Sequence, residues 1–283
     1  MILYGFSVCP ALSLQRLLAA DSLSAIVKNP LADPYILGIS SGASLGATSA
    51  ILLGIGASLG PNFVGISAFI GAFVLSLAVL FISNLGGRSN SMKLLLAGMA
   101  LSAVCSAFSS FIVYFANNKE GMQSIAYWLM GSLAGAKWNE LAVIAPVIIV
   151  SVLFFWTQSR VLNLMLLGDE TAITMGTDLH LYRQWYLLIS SLIVGFAVYA
   201  AGMIGFVGLI IPHVMRMFLG PDHKKLIPAS ALVGAIFLVI CDGLCRIIIP
   251  HTELPIGILI SMIGAPCFIY LMIKRTYGFG GND

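Results

Sequence analysis

From Met92 to Ala116 the sequence carries a single charged residue, Lys93, and is otherwise apolar or small. Stretches of this kind recur at Ile36 to Gly56, Val64 to Ser83, Asn139 to Trp156, Gln184 to Met203, Ile227 to Ile249 and Ile256 to Ile273. About 20 apolar residues in a helix cross the core of a bilayer, where only helices and closed barrels satisfy every backbone amide. Hydrophobic residues make up 59% of the chain and charged residues 9%, far fewer charges than the quarter or so of a soluble domain. The expectation is an all-α polytopic membrane protein with about nine transmembrane segments, one of them a half-helix. Ile211 to Leu219 is that half-helix, about two turns long. Met1 to Ala20 is apolar but interrupted by Gln15 and Arg16.

The formal net charge of +3 is spread by topology and not gathered into a patch, which gives nucleic-acid binding no support. With Lys274 and Arg275 in the cytoplasm, counting spans backwards brings Lys28, Arg88, Lys93, Arg160, Arg183, Arg216, Lys224 and Lys225 to the same side. Lys119, Lys137 and Arg246 fall outside and Arg16 is undecided, a distribution that follows the positive-inside rule. Cys9, Cys105, Cys241, Cys245 and Cys267 lie in or beside apolar stretches without CxxC spacing, as small packing residues do. No hydrophilic domain interrupts residues 29–275, which read as one membrane domain between a short segment, 1–28, and a cytoplasmic tail, 276–283.

Breakers mark the connections. Gly54 to Asn62 and Asn84 to Ser91 read as loops between antiparallel helices. Gly121 to Gly135 carries Ile125, Trp128, Leu129 and Leu133 at helical spacing, so a short helix is expected at the outer surface with Trp128 and Trp138 at interface depth. Leu167 to Arg183 is the most polar internal segment. Asp169 and Glu170 suit the N-terminus of a short helix there, Gly176 its end, and Met175, Leu179 and Leu181 would then face a partner or, alternatively, belong to a solvated connector. Gly202, Gly205, Gly208 and Pro212 interrupt another apolar run, and broken backbone at membrane depth must be buried in protein or line a watery cavity. Pro212 is expected as the first residue of the half-helix that follows.

Enzymatic readings fail on context. Gly38-Ile39-Ser40-Ser41-Gly42 has the spacing of a nucleophile elbow, but that device needs a strand before the serine and here a proline-rich turn precedes it. The GxxxxGK[ST] phosphate loop does not occur, so any ATP is hydrolysed by another chain. Asp222-His223-Lys224-Lys225 is a poor metal site because the lysines oppose a cation. Asp242 and Arg246, four apart on one helix, are expected to pair.

The segment Asn29-Pro30-Leu31-Ala32-Asp33-Pro34, followed by Gly38, Gly42 and Gly46 on one helical stripe, physically reads as an extended turn leading into a closely packed span. It also resembles the permease subunits of bacterial ABC importers for ferric siderophores, haem and cobalamin, the FecCD-type family. Trp128-Leu129-Met130-Gly131-Ser132-Leu133 resembles that family's outer gate helix, and Gly168 to Arg183 its coupling loop. Gly202 to Gly220, Asp222 to Lys224 with Pro228 to Leu232, and Glu253 to Pro266 extend the likeness across about Lys28 to Lys274.

The resemblance implies a homodimer, or a pair of homologous permeases, in the bacterial cytoplasmic (inner) membrane. Two cytoplasmic ATPase subunits would bind ATP and Mg, this chain holding no cofactor or metal, and an extracytoplasmic substrate-binding protein would deliver the cargo. The coupling residues would be Gly168, Asp169, Glu170, Met175, Gly176 and Leu179. Arg246 would face the binding protein, Trp128, Leu129, Gly131 and Ser132 would gate the pathway, and Gly38, Gly42, Gly46, Gly205 and Gly208 would pack backbones closely.

Members of this family place ten spans in the membrane, and only 28 residues precede Asn29 here. A helix from Arg16 to Val27 rises about 18 Å against a core about 30 Å thick, so the first span is expected to be missing and the second shortened. A truncated, non-transporting remnant and a secondary carrier are the competing readings. The carrier would need intramembrane carboxylates, of which the spans hold Asp242 and a terminal Glu140.

Overall fold

A computed structural model describes residues 17, 19–20, 22–26, 37–60, 62–85, 87, 89–133, 138–249 and 252–274. The turn at 29–36, together with Arg16, Lys28, Arg88, Lys137 and His251, lies outside the described residues. The elements are α1 (Ile39–Leu53), a 3-10 turn (Ala57–Leu59), α2 (Phe63–Asn84), α3 (Ser91–Ala116), α4 (Lys119–Met130), α5 (Trp138–Thr157), α6 (Ser159–Leu167), α7 (Asp169–Thr174), α8 (Leu179–Ala201), α9 (Val207–Leu219), α10 (His223–Ile248) and α11 (Ile256–Lys274). Every regular element among the described residues is helical, and α2, α3, α8 and α10 are each long and apolar enough to cross a membrane.

Polar caps set several helix starts. Side-chain oxygens of Asn90, Asn118, Asp178 and Asp222 accept the backbone N–H of Lys93, Gly121, His180 and Lys224, satisfying one orphan donor at each N-terminus. The Asp178 cap moves the start of α8 to Leu179, five residues before the apolar run at Gln184, so the end of the polar segment is already helix. Gly38 and Gly54, at φ 80° and 66°, bound α1 at 15 residues, about 22 Å, well inside the apolar run Ile36 to Gly56.

Two other boundaries also depart from the sequence reading. Residues 159–167, to which the sequence reading assigned no element, form α6, and the chain bends by 57° between α5 and α6 at Gln158. In addition, α9 begins at Val207, so Pro212 stands inside the helix and not at its first position. The helix can start early because the non-helical residues Gly202 to Gly205 already provide the break. Phe206 caps the start at φ 65°, its carbonyl accepting the N–H of Ile210 at 2.9 Å.

The centre of the molecule is made by small residues. A β-carbon placed on Gly42 would lie 2.5 Å from the carbonyl oxygen of Gly71 in α2. One on Gly98 of α3 would lie 2.9 Å from the α-carbon of Leu37. A side chain on Gly46 would collide with the Ser67 carbonyl, and one on Gly71 with the Gly42 carbonyl. Helix α1 is thereby wedged between α2 and α3, and only its last residue, Leu53, is exposed. The described residues between 17 and 26 are helical and at most 2% exposed. There Ser22 bonds Ser190 of α8 at 2.7 Å, the carbonyl of Ile26 accepts from Ser91 of α3, and Leu17 fills the space opposite Gly234 of α10.

Because the neighbour at Gly71 is backbone, Gly71→Leu is expected to force α1 and α2 apart and to destabilise by at least 1–3 kcal/mol, roughly the penalty of overpacking. A fall in the detergent-solubilised thermal midpoint, with the exposed-face control Phe81→Leu unchanged, checks this.

Candidate functional site

Polar contacts gather at the two ends of the helices. At the end that the charge distribution assigns to the cytoplasm, α6 and α7 form a bent pair held on both sides. Gly168, at φ 105°, separates them, and Asp169 and Glu170 open α7, where carboxylates favour the helix N-terminus. Helix α7 ends in a Schellman arrangement: Gly176, at φ 80°, donates to the Ile173 carbonyl at 2.9 Å, and Thr177 to Ala172 at 2.9 Å. The Asp169 carboxylate accepts from the Arg183 guanidinium of α8 at 2.7 Å. Arg183 is 2% exposed and also donates to the Ser89 carbonyl at 3.4 Å. Tyr186, one turn further along α8, donates to Gln158 at the α5–α6 bend at 3.0 Å.

The other side of α6 is tied to α10. Asn163 donates to the Asp222 carboxylate at 2.9 Å and accepts the backbone N–H of His223 at 3.0 Å, its carbonyl oxygen also lying 2.7 Å from the His223 ring Nδ1. The Asn163 amide and then the Lys224 N–H hold the Asp222 carboxyl below its usual range. Nearby, the Trp156 indole donates to the Lys224 carbonyl at 3.1 Å and Arg216 to the Ser24 hydroxyl at 2.6 Å.

What this end offers outward is apolar. Ile173, Met175 and Leu181 are 62%, 63% and 61% exposed, and Glu170 and Gly176 are exposed beside them. Leu179, which the sequence reading placed among the residues facing a partner, is 3% exposed. As the first residue of α8 it falls on the stripe of Arg183, Tyr186 and Leu187, all buried, and so packs inward. Ile173 was missed, although its position four residues after Asp169 on a capped helix was a usable signal.

At the opposite end, α4 meets the broken run. The helix stops at Met130 and not at Leu133, because Gly131 adopts φ 68°. The Ser132 N–H donates to the Ala201 carbonyl at 3.0 Å, across to the last residue of α8. Gly202, at φ 67°, lies under the Trp128 carbonyl, where an added β-carbon would stand 2.6 Å away. Gly257 of α11 sits against the Met130 carbonyl, leaving no room for a side chain. Trp128 is half-buried and Leu129 exposed. Gly205 lies in the break, its carbonyl accepting from Val207 at 2.8 Å, and Gly208 is the second residue of α9.

Arg246 belongs to this end as well. It donates to both oxygens of Asp242, at 2.9 and 3.2 Å, and to Glu253 at 3.3 Å. Two carboxylates around one guanidinium leave the group with a net negative charge, Asp242 fixing the arginine from below and Glu253 lying 42% exposed above it.

Asn163→Leu removes three contacts at once, those to the Asp222 carboxylate, which keeps the Lys224 N–H, to the His223 backbone N–H and to the His223 ring. A loss of about 2–3 kcal/mol is expected, readable as a lowered thermal midpoint, with the protein still inserted in the membrane.

Comparison with known proteins places this architecture. A cobalamin import system permease, BtuC of Halobacterium salinarum, is 40% identical over 257 residues, covering 89% of this chain and 67% of its own. The hemin transport system permease HmuU of Yersinia pestis is 38% identical, covering 89% and 76%. A solved structure described as an inward-facing conformation of a metal-chelate type ABC transporter superposes with a TM-score of 0.87 at 32% identity, over 96% of this chain and 86% of that one. PsaBC from Streptococcus pneumoniae shares the fold, with a TM-score of 0.54 at 13% identity over 94% of this chain and 89% of that one. The FecCD transport family model matches residues 18–274, and the chain belongs to that family of multi-pass permeases of the cytoplasmic membrane.

Proposed function

We propose that the chain is the membrane-spanning permease of an ABC importer that carries a ferric siderophore or a related iron or tetrapyrrole chelate. The single observation that carries the reading is the α6–α7 pair: two short helices, tied into the fold on both sides, that present Ile173, Met175 and Leu181 at the cytoplasmic end. An ATPase subunit fits this surface, since apolar groups exposed on a rigid, polar-rimmed support are what a docking partner buries. Two such ATPases would bind ATP and Mg and perform the hydrolysis, and this chain would have no catalytic role.

The exposed face of α3 supports a pathway wall shared with a second permease copy. It carries Met99, Phe108, Phe111 and Tyr114, with Ser106 and Ser110 between them. From Leu94 to Ala116 it holds no charge, which suits a bulky chelate that must be released as readily as it is held. The α4–Gly202–Gly257 junction would close that pathway on the outside. Arg246 would dock a substrate-binding protein, whose acidic group would displace Glu253 while Asp242 keeps the guanidinium oriented. Haem and cobalamin are the cargoes named for the relatives, and a ferric siderophore is the third class that the same uncharged wall admits.

Co-purification with the candidate ATPase, followed by ATP-dependent uptake of haemin, cyanocobalamin and a ferric siderophore into vesicles, tests the reading. A complex without ATP-dependent uptake of any of them would remove the importer assignment for these cargoes. Ile173→Asp with Met175→Asp is expected to abolish the ATPase complex while leaving membrane insertion intact; an unchanged complex would move the docking surface elsewhere. Arg246→Glu is expected to weaken binding-protein affinity by at least about tenfold, the scale of one close charge pair, and equal affinity by surface plasmon resonance would remove its assignment.

A further inference from the structure

We infer that Arg183 is the positioning residue through which displacement of the α6–α7 pair reaches the outer junction, by way of α8 acting as a rod. The inference rests on the docking surface proposed above and identifies what connects it to the rest of the molecule.

The geometry is continuous. Arg183 joins Asp169 at the start of α7, and Tyr186 joins Gln158 at the start of α6, so one turn of α8 holds both short helices. From Arg183 to Ala201 the helix runs without interruption for about 27 Å. At its far end the Ala201 carbonyl holds the Ser132 amide, and Gly202 packs under the Trp128 carbonyl without an intervening side chain. Direct backbone contact leaves little slack, so a shift of α8 along its axis moves residues 128–132 with it.

Arg183 is an expensive way to build a merely stable joint. It is 2% exposed, its Nε finds no partner among the described residues, and its bond to Ser89 is long. Asp169 is 34% exposed, so its attraction to the guanidinium is weakened by water while Arg183 itself is desolvated, and stability alone does not account for an arginine here. An ion pair does favour one register, because the 2.7 Å contact ties the first residue of α7 to one turn of α8. Apolar surfaces at the same place would allow the two helices to slide.

The test uses the permease–ATPase complex in nanodiscs and follows hydrogen exchange at the Ser132 amide with and without ATP and vanadate. The wild type is expected to show a nucleotide-dependent change there. In the variant Arg183→Met, which leaves the half-exposed Asp169 carboxylate hydrated, the complex and its ATP hydrolysis are expected to persist within about twofold. The Ser132 response should disappear, and uptake of haemin or cyanocobalamin per ATP should fall by about tenfold, within the range of allosteric coupling. A retained Ser132 response overturns the inference, as does a proportional loss of hydrolysis and uptake, which marks a purely structural role. If that variant does not assemble, Arg183→Gln decides in the same way, since it keeps a hydrogen-bond donor toward Asp169 and removes the charge. A wild-type chain that forms no ATPase complex defeats the docking reading itself, before any variant is compared.

Discussion

Backbone amides with no water to bond them govern this structure. Wherever the helical ladder is broken inside the apolar region, another element has to approach closely enough to supply partners or exclude lipid. The run Gly202 to Phe206 is the clearest case. Ala201 and Gly205 give their carbonyls to Ser132 and Val207, and glycines at 131, 202 and 257 let the backbones of α4, the break and α11 meet. The junction depends on residues that lack side chains, and its rigidity comes from the same source.

Charge obeys the same economy of position. The described ion pairs lie at the two ends of the helices: Asp169–Arg183 at one, Asp242–Arg246–Glu253 at the other. Between them the long helices carry serines bonded to their own or neighbouring helices, such as Ser76 to Ala72 and Ser22 to Ser190. The two charged groups differ in kind. Arg246 lies at a surface where a carboxylate can be exchanged, whereas Arg183 is enclosed and joins segments 14 residues apart in the chain.

Much of this was legible in the residues. The apolar runs anticipated α2, α3, α5, α8, α10 and α11 with shifts of a few residues, and the Asn90, Asn118, Asp178 and Asp222 caps explain several of the starts. The i, i+4 spacing of Asp242 and Arg246 anticipated their pairing, but the added bond to Glu253 depends on how the chain returns into α11. The bend at Gln158 lay in a stretch without glycine or proline, where the polar Gln158-Ser159-Arg160 was the sole sign. Pro212 misled because proline favours a first turn, and five residues of helix before it are tolerated in this packed setting. Leu179 misled because its burial is decided by α8, a helix whose start the apolar run placed too late. The Asp169–Arg183 bond had no local signature at all, since neither spacing nor composition reveals which turn of α8 the short helix α7 will lie against.

Helix α1 carries a final consequence. At about 22 Å it is shorter than a bilayer core about 30 Å thick, and a helix facing lipid at that length would force the membrane to thin or would itself be pulled upon. Packed between α2 and α3, with Leu53 its one exposed residue, it offers little surface for acyl chains to reach. Matching to the surrounding lipid therefore falls to longer helices such as α10, whose exposed face carries Leu232, Ile236, Ile240 and Ile247. A change in membrane thickness would tilt α10 and leave the glycine-packed set of α1, α2 and α3 as a fixed body around which the tilting takes place.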